Sequence, residues 1–499
     1  MGIKSLLAYP IAILVRGLVY SIHQNAEVTQ KALLKKLIKT AKNTAFGKKH
    51  QFERIQDYQD FVKQVPVKDY EQNKEFFDQI VAGKTNITWP GKPIYFAKTS
   101  GTTSGAKYIP ITKDSINPHI SAARNALLMY IAETKNTTFF NKKMIFLQGS
   151  PVLEDTNGIP TGRLSGIVYH HVPKWLVSNR MPSYETNCIE DWETKIDAIA
   201  EETIKEDMSL ISGIPPWCIM YFEKLLEKTG KQTVKEIFPN FELFVYGGVN
   251  YAPYKEKIEK LIGFKIPTIE TYPASEGFFA YQFFQGATGL LLNLEGGIFY
   301  EFIKSEDFYK SNPKRYLIGE VEIGVNYVLI VSTNAGLWAY NTGDTVKFTA
   351  LKPYMIIVTG RIKHFLSAFG EHVIAEEVEY AMAKASEKFR LAISEFTVAP
   401  LIAKNDNEIS CHEWLIEIEN HNFDIENFAI ALDQTLQEKN VYYQDLRAGN
   451  ILSMPKITLL PKGTFKQYQY QRGKLGGQNK VQRLGNDRSL ADELTKLND

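Results

Sequence analysis

From about residue 94 the chain alternates short apolar runs, "PIYFAK", "KMIFLQG", "FELFVYGG" and "IPTIETYP", with polar, helix-periodic stretches such as "WETKIDAIAEETIKED" and "YKEKIEKLIG". Parallel strands need long crossovers, and a helix is the usual one, so the alternation predicts a largely parallel sheet with helices on both faces. Between about 288 and 360 the texture changes to closely spaced strands, "GLLLNLEGGIFYEFI", "GEVEIGVNYVLIVST", "LWAYNTGDTVKFTA" and "YMIIVTG". No room is left there for crossovers, so hairpins and a meander are expected. After "GRIKHFLSAFGEHV" come a helix near Glu376–Lys388, strands "EFTVAP" and "EWLIEIE", a helix near 424–438 and a basic, glycine-rich end. The fold class is therefore α/β, with residues 1–360 as a large domain, 361–363 as the junction and 364–499 as a small α+β domain.

At 499 residues with 44% apolar content the chain can bury a large core. Its 58 basic and 56 acidic side chains leave a net charge of +2, which gives no global attraction for nucleic acid. Cys188, Cys218 and Cys411 are too few and too scattered for a disulfide framework or a zinc knuckle, so a reducing, cytoplasmic setting is expected. In the N-terminal run "SLLAYPIAILVRGLVYSI", Pro10 and Arg16 interrupt the apolar character well short of the ~20 residues a membrane span needs. It reads as an amphipathic helix packed on the protein, with weak membrane-surface contact as the alternative. A second helix should follow, with Leu33, Leu34, Leu37, Ile38 and Ala41 at helical spacing, Thr29 as its cap and Gly47 as its stop.

"AKTSGTTSGAKYI" at 97–109 brings Ser100, Gly101, Thr102, Thr103, Ser104 and Gly105 together before Lys107. Unobstructed backbone N–H groups, hydroxyls and a nearby cation suit a phosphate, although the lysine spacing is not that of a Walker A loop. An ordinary turn has the same composition. "IETYPASEGFFAYQ" sets Glu270, Tyr272, Ser275 and Glu276 just beyond an apolar strand, where α/β folds build ligand sites and where one carboxylate can hold Mg²⁺. Asp344 in "YNTGD" follows a glycine between two strands, either a ribose-binding carboxylate or a plain hairpin turn. Adjacent His170 and His171 on a strand would point to opposite faces, which argues against a metal pair.

In this order and at these separations, the hydroxyl-rich loop, the "YGG" turn, "YPASEG", "YNTGD" and "GRIKHFLSAFGEHVIAEEVE" resemble adenylate-forming enzymes. Over nearly the whole chain, "TSGTTSG", "YGGVNYAPY", "TYPASEGFFAYQ", "GEVEIGVNYVLIVSTNAGLWAYNTGDTVKF" and "GGQNKVQRL" resemble the auxin-responsive-promoter family of acyl acid amido synthetases. The helix followed by "TAFGKKHQF" resembles that family's bacterial-type members.

The resemblance implies a large adenylate-forming domain, a small mobile C-terminal domain and a monomer acting in two steps. ATP and a carboxylic acid would give an acyl-adenylate and pyrophosphate, and an amino acid's amine would then attack the acyl carbon. Carried onto this sequence, Ser100, Gly101, Thr102, Thr103 and Ser104 would wrap the triphosphate, while Tyr246, Gly247, Gly248, Tyr272 and Ser275 would line the nucleotide. Glu276 would hold Mg²⁺, Asp344 would bind the ribose hydroxyls, and Arg361 would lie near ribose and phosphate. Lys480 in "GGQNKVQRL" fits the family's mobile lysine better than Lys466, although Gln482 stands where the family has proline. The bland reading of residues 461–488 is a solvated basic surface. His119, Arg124, Pro216, Trp217 and Met220 fall in the two regions that line the acid in the family, though apolar residues at helical spacing also suit plain core. Transfer to coenzyme A or a carrier protein is the alternative, and a nucleotide sensor without turnover is a third reading.

Overall fold

The computed structural model describes residues 3–100, 106–172, 174–249, 251–362, 365–366, 371, 373–402, 410–418, 422–448, 451–472, 480–485 and 487–497. β1 (Tyr95–Ser100) and β2 (Ala106–Ile111) form an antiparallel hairpin. Outside them lie β5 (Ile159–Gly162) and then β4 (Glu154–Thr156), completing a sheet of order β2-β1-β5-β4. Among the described residues the main sheet has eleven strands, and its parallel part comprises β6 (Arg180–Met181), β3 (Lys143–Phe146), β7 (Met208–Ser212), β8 (Leu243–Gly247) and β9 (Thr268–Ala274).

Neighbouring residues on these strands face opposite ways, and both directions are apolar. Ile211 and Phe244 pack with Ile196, Phe222 and Ile258 from the helices Trp192–Thr203, Pro215–Thr229 and Lys255–Ile262. Leu210 and Leu243, one residue back on each strand, join Met129 and Ala126 of the helix Lys113–Thr134 in a separate cluster. A strand covered on both faces has no polar side, which is why "FELFVYGG" reads as a run rather than an alternation.

The meander does not form a body of its own. β9 turns into β10 (Gly277–Gln282), and β11 (Leu290–Leu292), β15 (Tyr354–Arg361), β14 (Tyr340–Leu351), β13 (Asn326–Thr333) and β12 (Ile298–Lys304) continue the same sheet antiparallel. "NTGD" is likewise not a turn between strands. It lies within β14, whose pairing to β13 shifts register between Val328 and Ile330, and Gly343 takes φ +81°, a conformation that suits glycine.

The N-terminal helix Ile3–Gln24 carries Pro10 inside it and buries Ala8, Ala12 and Val19 in the same cluster as the helix Lys113–Thr134. Leu7, Ile11, Leu14 and Leu18 stay exposed. No described helix is long and apolar enough to cross a membrane. The second helix spans Ala26–Ala41 and begins at Asn25, not Thr29. Gly47 sits inside a separate short helix, Ala45–Lys49, where a Cβ would meet Ala41 O at 2.3 Å, so its role is close approach rather than termination. His170 and His171 follow a short helix, Leu164–Tyr169, instead of lying on a strand, and their Nε2 atoms bond Pro151 O and Tyr95 OH. All three cysteines are free.

β16 (Phe365–Leu366) and β17 (Val373–Ile374) pair beyond the main sheet. The C-terminal region is built on β18 (Ile393–Leu401), β19 (Cys411–Ile418) and β20 (Lys456–Leu460), with the helices Ala375–Phe389 and Ile425–Lys439 contributing Val378, Met382, Phe428 and Leu432 to its core.

Candidate active site

The C-terminal ends of β8 and β9 lie side by side, where open α/β sheets place ligands. Gly247 admits no side chain, since a Cβ there would stand 2.5 Å from Thr271 O. Gly248 follows at φ +89°. Tyr246 stacks on Tyr251 with centroids 4.6 Å apart and donates to Glu270 Oε2 at 3.3 Å. Burial pushes the Glu270 carboxyl up to about 7, with the Tyr246 hydroxyl opposing and the Glu379 charge adding to the rise.

The turn joining β9 to β10 has two residues, Ser275 and Glu276, and it is flanked by the pair Ala274 and Gly277. Glu276 is raised by burial first and then by Asp344, while Arg361 and Lys107 pull it down. Lys107 lies on β2 opposite Thr99, so the base of the β1–β2 connection is within electrostatic reach of Glu276. Ser100 pairs with Ala106 there. The Ser100 side chain and Gly101, Thr102, Thr103, Ser104 and Gly105 lie outside the described residues.

Asp344 is the best-tied carboxylate of the group. Tyr272 OH donates to its Oδ2 at 2.6 Å and Arg361 Nε to its Oδ1 at 2.8 Å, while Arg361 also donates to Thr342 O at 3.2 Å. The pair β14–β15 aligns Asp344 directly with Arg361, so backbone register sets this contact. Asp344 is the largest influence on Arg361 and raises its pKa. A carboxylate has about four lone-pair positions, so two remain for a diol.

Lys480 arrives from the C-terminal region. Its Cε and Nζ lie 3.3 and 3.6 Å from where a Cβ on Gly248 would stand. The residue remains exposed, yet the protein atoms crowding its ammonium lower its pKa; the Asp344 charge opposes this and the Arg361 charge reinforces it. Lys466 points elsewhere and pairs with Glu193 at 2.5 Å. Gln482, the departure from the family pattern, turns its amide back to Leu484 O at 2.8 Å and passes its own carbonyl to Thr397 Oγ1 at 2.7 Å.

The reading of 461–488 as a solvated basic surface holds for Lys462, Lys466, Arg472 and Lys480, which are exposed, but not for the buried Arg483. Lys462, Lys466, Arg472, Arg483 and Arg488 each meet a carboxylate, and Arg483 is buried. No local pattern signals these partners, because Glu223, Glu193, Glu379 and Glu413 are distant in the chain. The suggested acid-binding residues are divided between two helices on opposite faces of the sheet. His119 and Arg124 belong to Lys113–Thr134, and Pro216, Trp217 and Met220 to Pro215–Thr229. Burial lowers His119 to about 4, so it is neutral, and its Nδ1 has no partner. Trp217 packs on Trp192, centroids 4.5 Å apart. Among the described residues no group of three or more His, Cys, Asp or Glu could hold a metal alone.

The GH3 family N-terminal domain matches residues 17–183 and 163–267, the GH3 family central domain 291–361 and the GH3 family C-terminal domain 376–489. No curated protein is detectably similar in sequence. Among solved structures, AtGH3.15 acyl acid amido synthetase in complex with 2,4-DB superposes with a TM-score of 0.79 at 16% identity, over 97% of this chain and 96% of that one. A 2-hydroxyisobutyryl-CoA ligase in its postadenylation state gives 0.62 at 12% identity, over 95% and 93%. The same ligase in its thioesterification state gives 0.50 at 13%, with the same coverage. These structures share the adenylate-forming fold. Since the three domain models together account for most of the sequence, the chain belongs to the GH3 family.

Proposed function

We propose that this GH3-family ligase adenylates a carboxylic acid with ATP, releasing pyrophosphate, and then transfers the acyl group to the amine of an amino acid. The observation that carries the reading is convergence. Asp344, Tyr272, Arg361 and Glu276 from the large domain and Lys480 from the small one meet beside Gly247 and Gly248.

In the first step a carboxylate oxygen attacks the α-phosphorus and pyrophosphate leaves. Both reactants are anions, so catalysis rests on positioning and on neutralising charge. Asp344 accepts the ribose hydroxyls and holds Arg361 toward the phosphates. Tyr246, Gly247, Gly248, Tyr272 and Ser275 line the nucleotide, and the absence of Cβ atoms at 247 and 248 lets it approach the backbone. Ser100, Gly101, Thr102, Thr103 and Ser104 donate to the β- and γ-phosphates. Lys480 faces the charge that develops at the α-phosphate. Glu276 fits Mg²⁺: burial disfavours its negative charge, and an ion that takes one carboxylate completes its shell with water and phosphate oxygens. Bound there, Mg²⁺ would offset triphosphate charge.

In the second step the amine attacks the acyl carbon and AMP leaves. The small domain must withdraw Lys480 to open a path, turning about residues 361–363. Ile362 N donates to Gly343 O at 2.8 Å, which ties that residue to the large domain and supports a pivot near Lys363, itself outside the described residues. We take the enzyme to be a cytoplasmic monomer, and the exposed Leu7, Ile11, Leu14 and Leu18 to be the surface through which any weak lipid contact would occur.

The test is ATP–pyrophosphate exchange over a panel of aryl, indolyl and fatty acids, followed by amino acids or coenzyme A added to the pre-formed adenylate. Amide formation is expected. Thioester formation alone would replace the acceptor, and ATP binding without exchange for any acid would replace the enzyme by a sensor.

A further inference from the structure

Tyr254 belongs to none of the groups above. It is fully buried, and its hydroxyl leaves the large domain to donate to Glu395 Oε1 at 2.9 Å and Oε2 at 3.1 Å, both on β18 of the small domain. Arg483 closes the cluster. Its Nε donates to Glu379 at 3.1 Å and its Nη1 to Phe396 O at 2.9 Å, while the two Nη groups also reach Glu395 and Tyr254 OH. The guanidinium lies over the Phe396 ring at 4.7 Å.

This cluster is joined to Lys480 by a short, well-tied segment. Val398 N donates to Arg483 O at 2.9 Å and Gly485 N to Val398 O at 3.1 Å, so 483–485 runs along β18. Arg483 is three residues from Lys480. Where Arg483 is anchored therefore decides where Lys480 can reach.

The other described ion pairs between the domains are weaker candidates for this task. Lys347 with Glu376 at 2.8 Å is partly buried but joins β14 to the helix just after the junction, far in sequence from Lys480, while Lys466 with Glu193 and Lys462 with Glu223 at 3.9 Å are on the surface, where water and salt screen them. Lys257, itself buried, reaches Ser394 Oγ at 3.3 Å while pairing with Glu223 at 3.0 Å within its own domain. Only the Tyr254 cluster places a charged network from the small domain against a fully buried hydroxyl of the large one, where geometry is strict.

We infer that Tyr254 is a positioning residue: with Glu395 and Arg483 it latches the small domain in the arrangement that brings Lys480 to Gly248, and the latch must open before acyl transfer. The inference rests on the two-step reading, since only a two-step enzyme needs to break such a contact in each turnover.

The test compares wild type with Tyr254→Phe, which keeps the buried ring, and with Glu395→Gln. Expected for Tyr254→Phe are a loss of about 10- to 100-fold in pyrophosphate exchange and less than about threefold in transfer from pre-formed acyl-adenylate. Glu395→Gln should act in the same direction, and the double variant should lose little more than the worse single one, because both remove one contact. Small-angle X-ray scattering reads the latch without activity: the variants should show a larger radius of gyration than wild type. If no acid supports exchange in wild type but scattering still changes, the latch stands and the functional reading falls. Unchanged scattering with equal loss of both half-reactions would overturn the latch and leave Tyr254 a structural residue.

Discussion

Asp344→Asn separates binding from folding at one atom. Asp344 accepts from Tyr272 OH at 2.6 Å and from Arg361 Nε at 2.8 Å. The amide that replaces it has one acceptor oxygen. If that oxygen keeps the half-buried Tyr272, the NH₂ group faces the Arg361 Nε–H, donor against donor. Arg361 can relieve this by turning to water, since its side chain is 49% exposed and it has a second partner in Thr342 O. The ion pair is therefore partly screened, and the cost to stability should be about 1 kcal/mol. Ribose has no such escape. Losing a charged acceptor for its hydroxyls costs about 1.5–3 kcal/mol, or roughly 10- to 150-fold in ATP affinity. The assay is the ATP dependence of pyrophosphate exchange beside thermal unfolding of the same preparation. An unchanged KM for ATP in a folded variant would refute the ribose role. A stability loss well above ~3 kcal/mol would show that Asp344 is chiefly structural.

Lys480→Ala should lower pyrophosphate exchange by about 10²- to 10³-fold while sparing transfer from pre-formed adenylate, because the charge it supplies is needed at the α-phosphate; equal loss in both steps would count against it. Gly248→Ala places a methyl 3.3 Å from Lys480 Cε at φ +89°, so about 1–2 kcal/mol of backbone strain is expected together with a larger fall in adenylation than the melting temperature explains. Glu270→Gln tests the carboxyl raised from 4.5 to about 7. In that window the native state holds a proton that the unfolded chain has released, so stability falls as pH rises from about 4.5 to 7, by up to roughly 3 kcal/mol. The glutamine variant should match wild type near pH 5 and exceed it in melting temperature near pH 8; parallel curves would show that Glu270 titrates normally.

Much of the proposed nucleotide-facing side of the site could be read along the chain because its parts are local. Tyr246, Gly247 and Gly248 are consecutive, Tyr272 to Glu276 lie on one strand and turn, and Asp344 meets Arg361 across a single hairpin. In such cases spacing alone predicts neighbours. "NTGD" shows the limit: composition suggested a turn, but pairing with β13 on one side and β15 on the other held it in a strand and absorbed the glycine as a bulge. The proposed acid-binding residues show another, since His119 and Trp217 occupy helices on opposite faces of the sheet, which helical spacing within each segment cannot report.

By itself the sequence determined the alternation that builds a sheet covered on both faces, because that depends on side-chain periodicity. The order of the proposed nucleotide-site motifs and the preference for Lys480 over Lys466 came from resemblance to a family. Tertiary structure decided that the meander extends the parallel sheet, that Arg483 and Arg488 near the C-terminus meet the distant Glu379 and Glu413, and that Tyr254 joins the two domains. Tyr254 and Arg483 are 229 positions apart, and neither is distinctive until folding removes water from both. A buried charge needs its partners within hydrogen-bonding distance, and only the folded arrangement of the two domains supplies them.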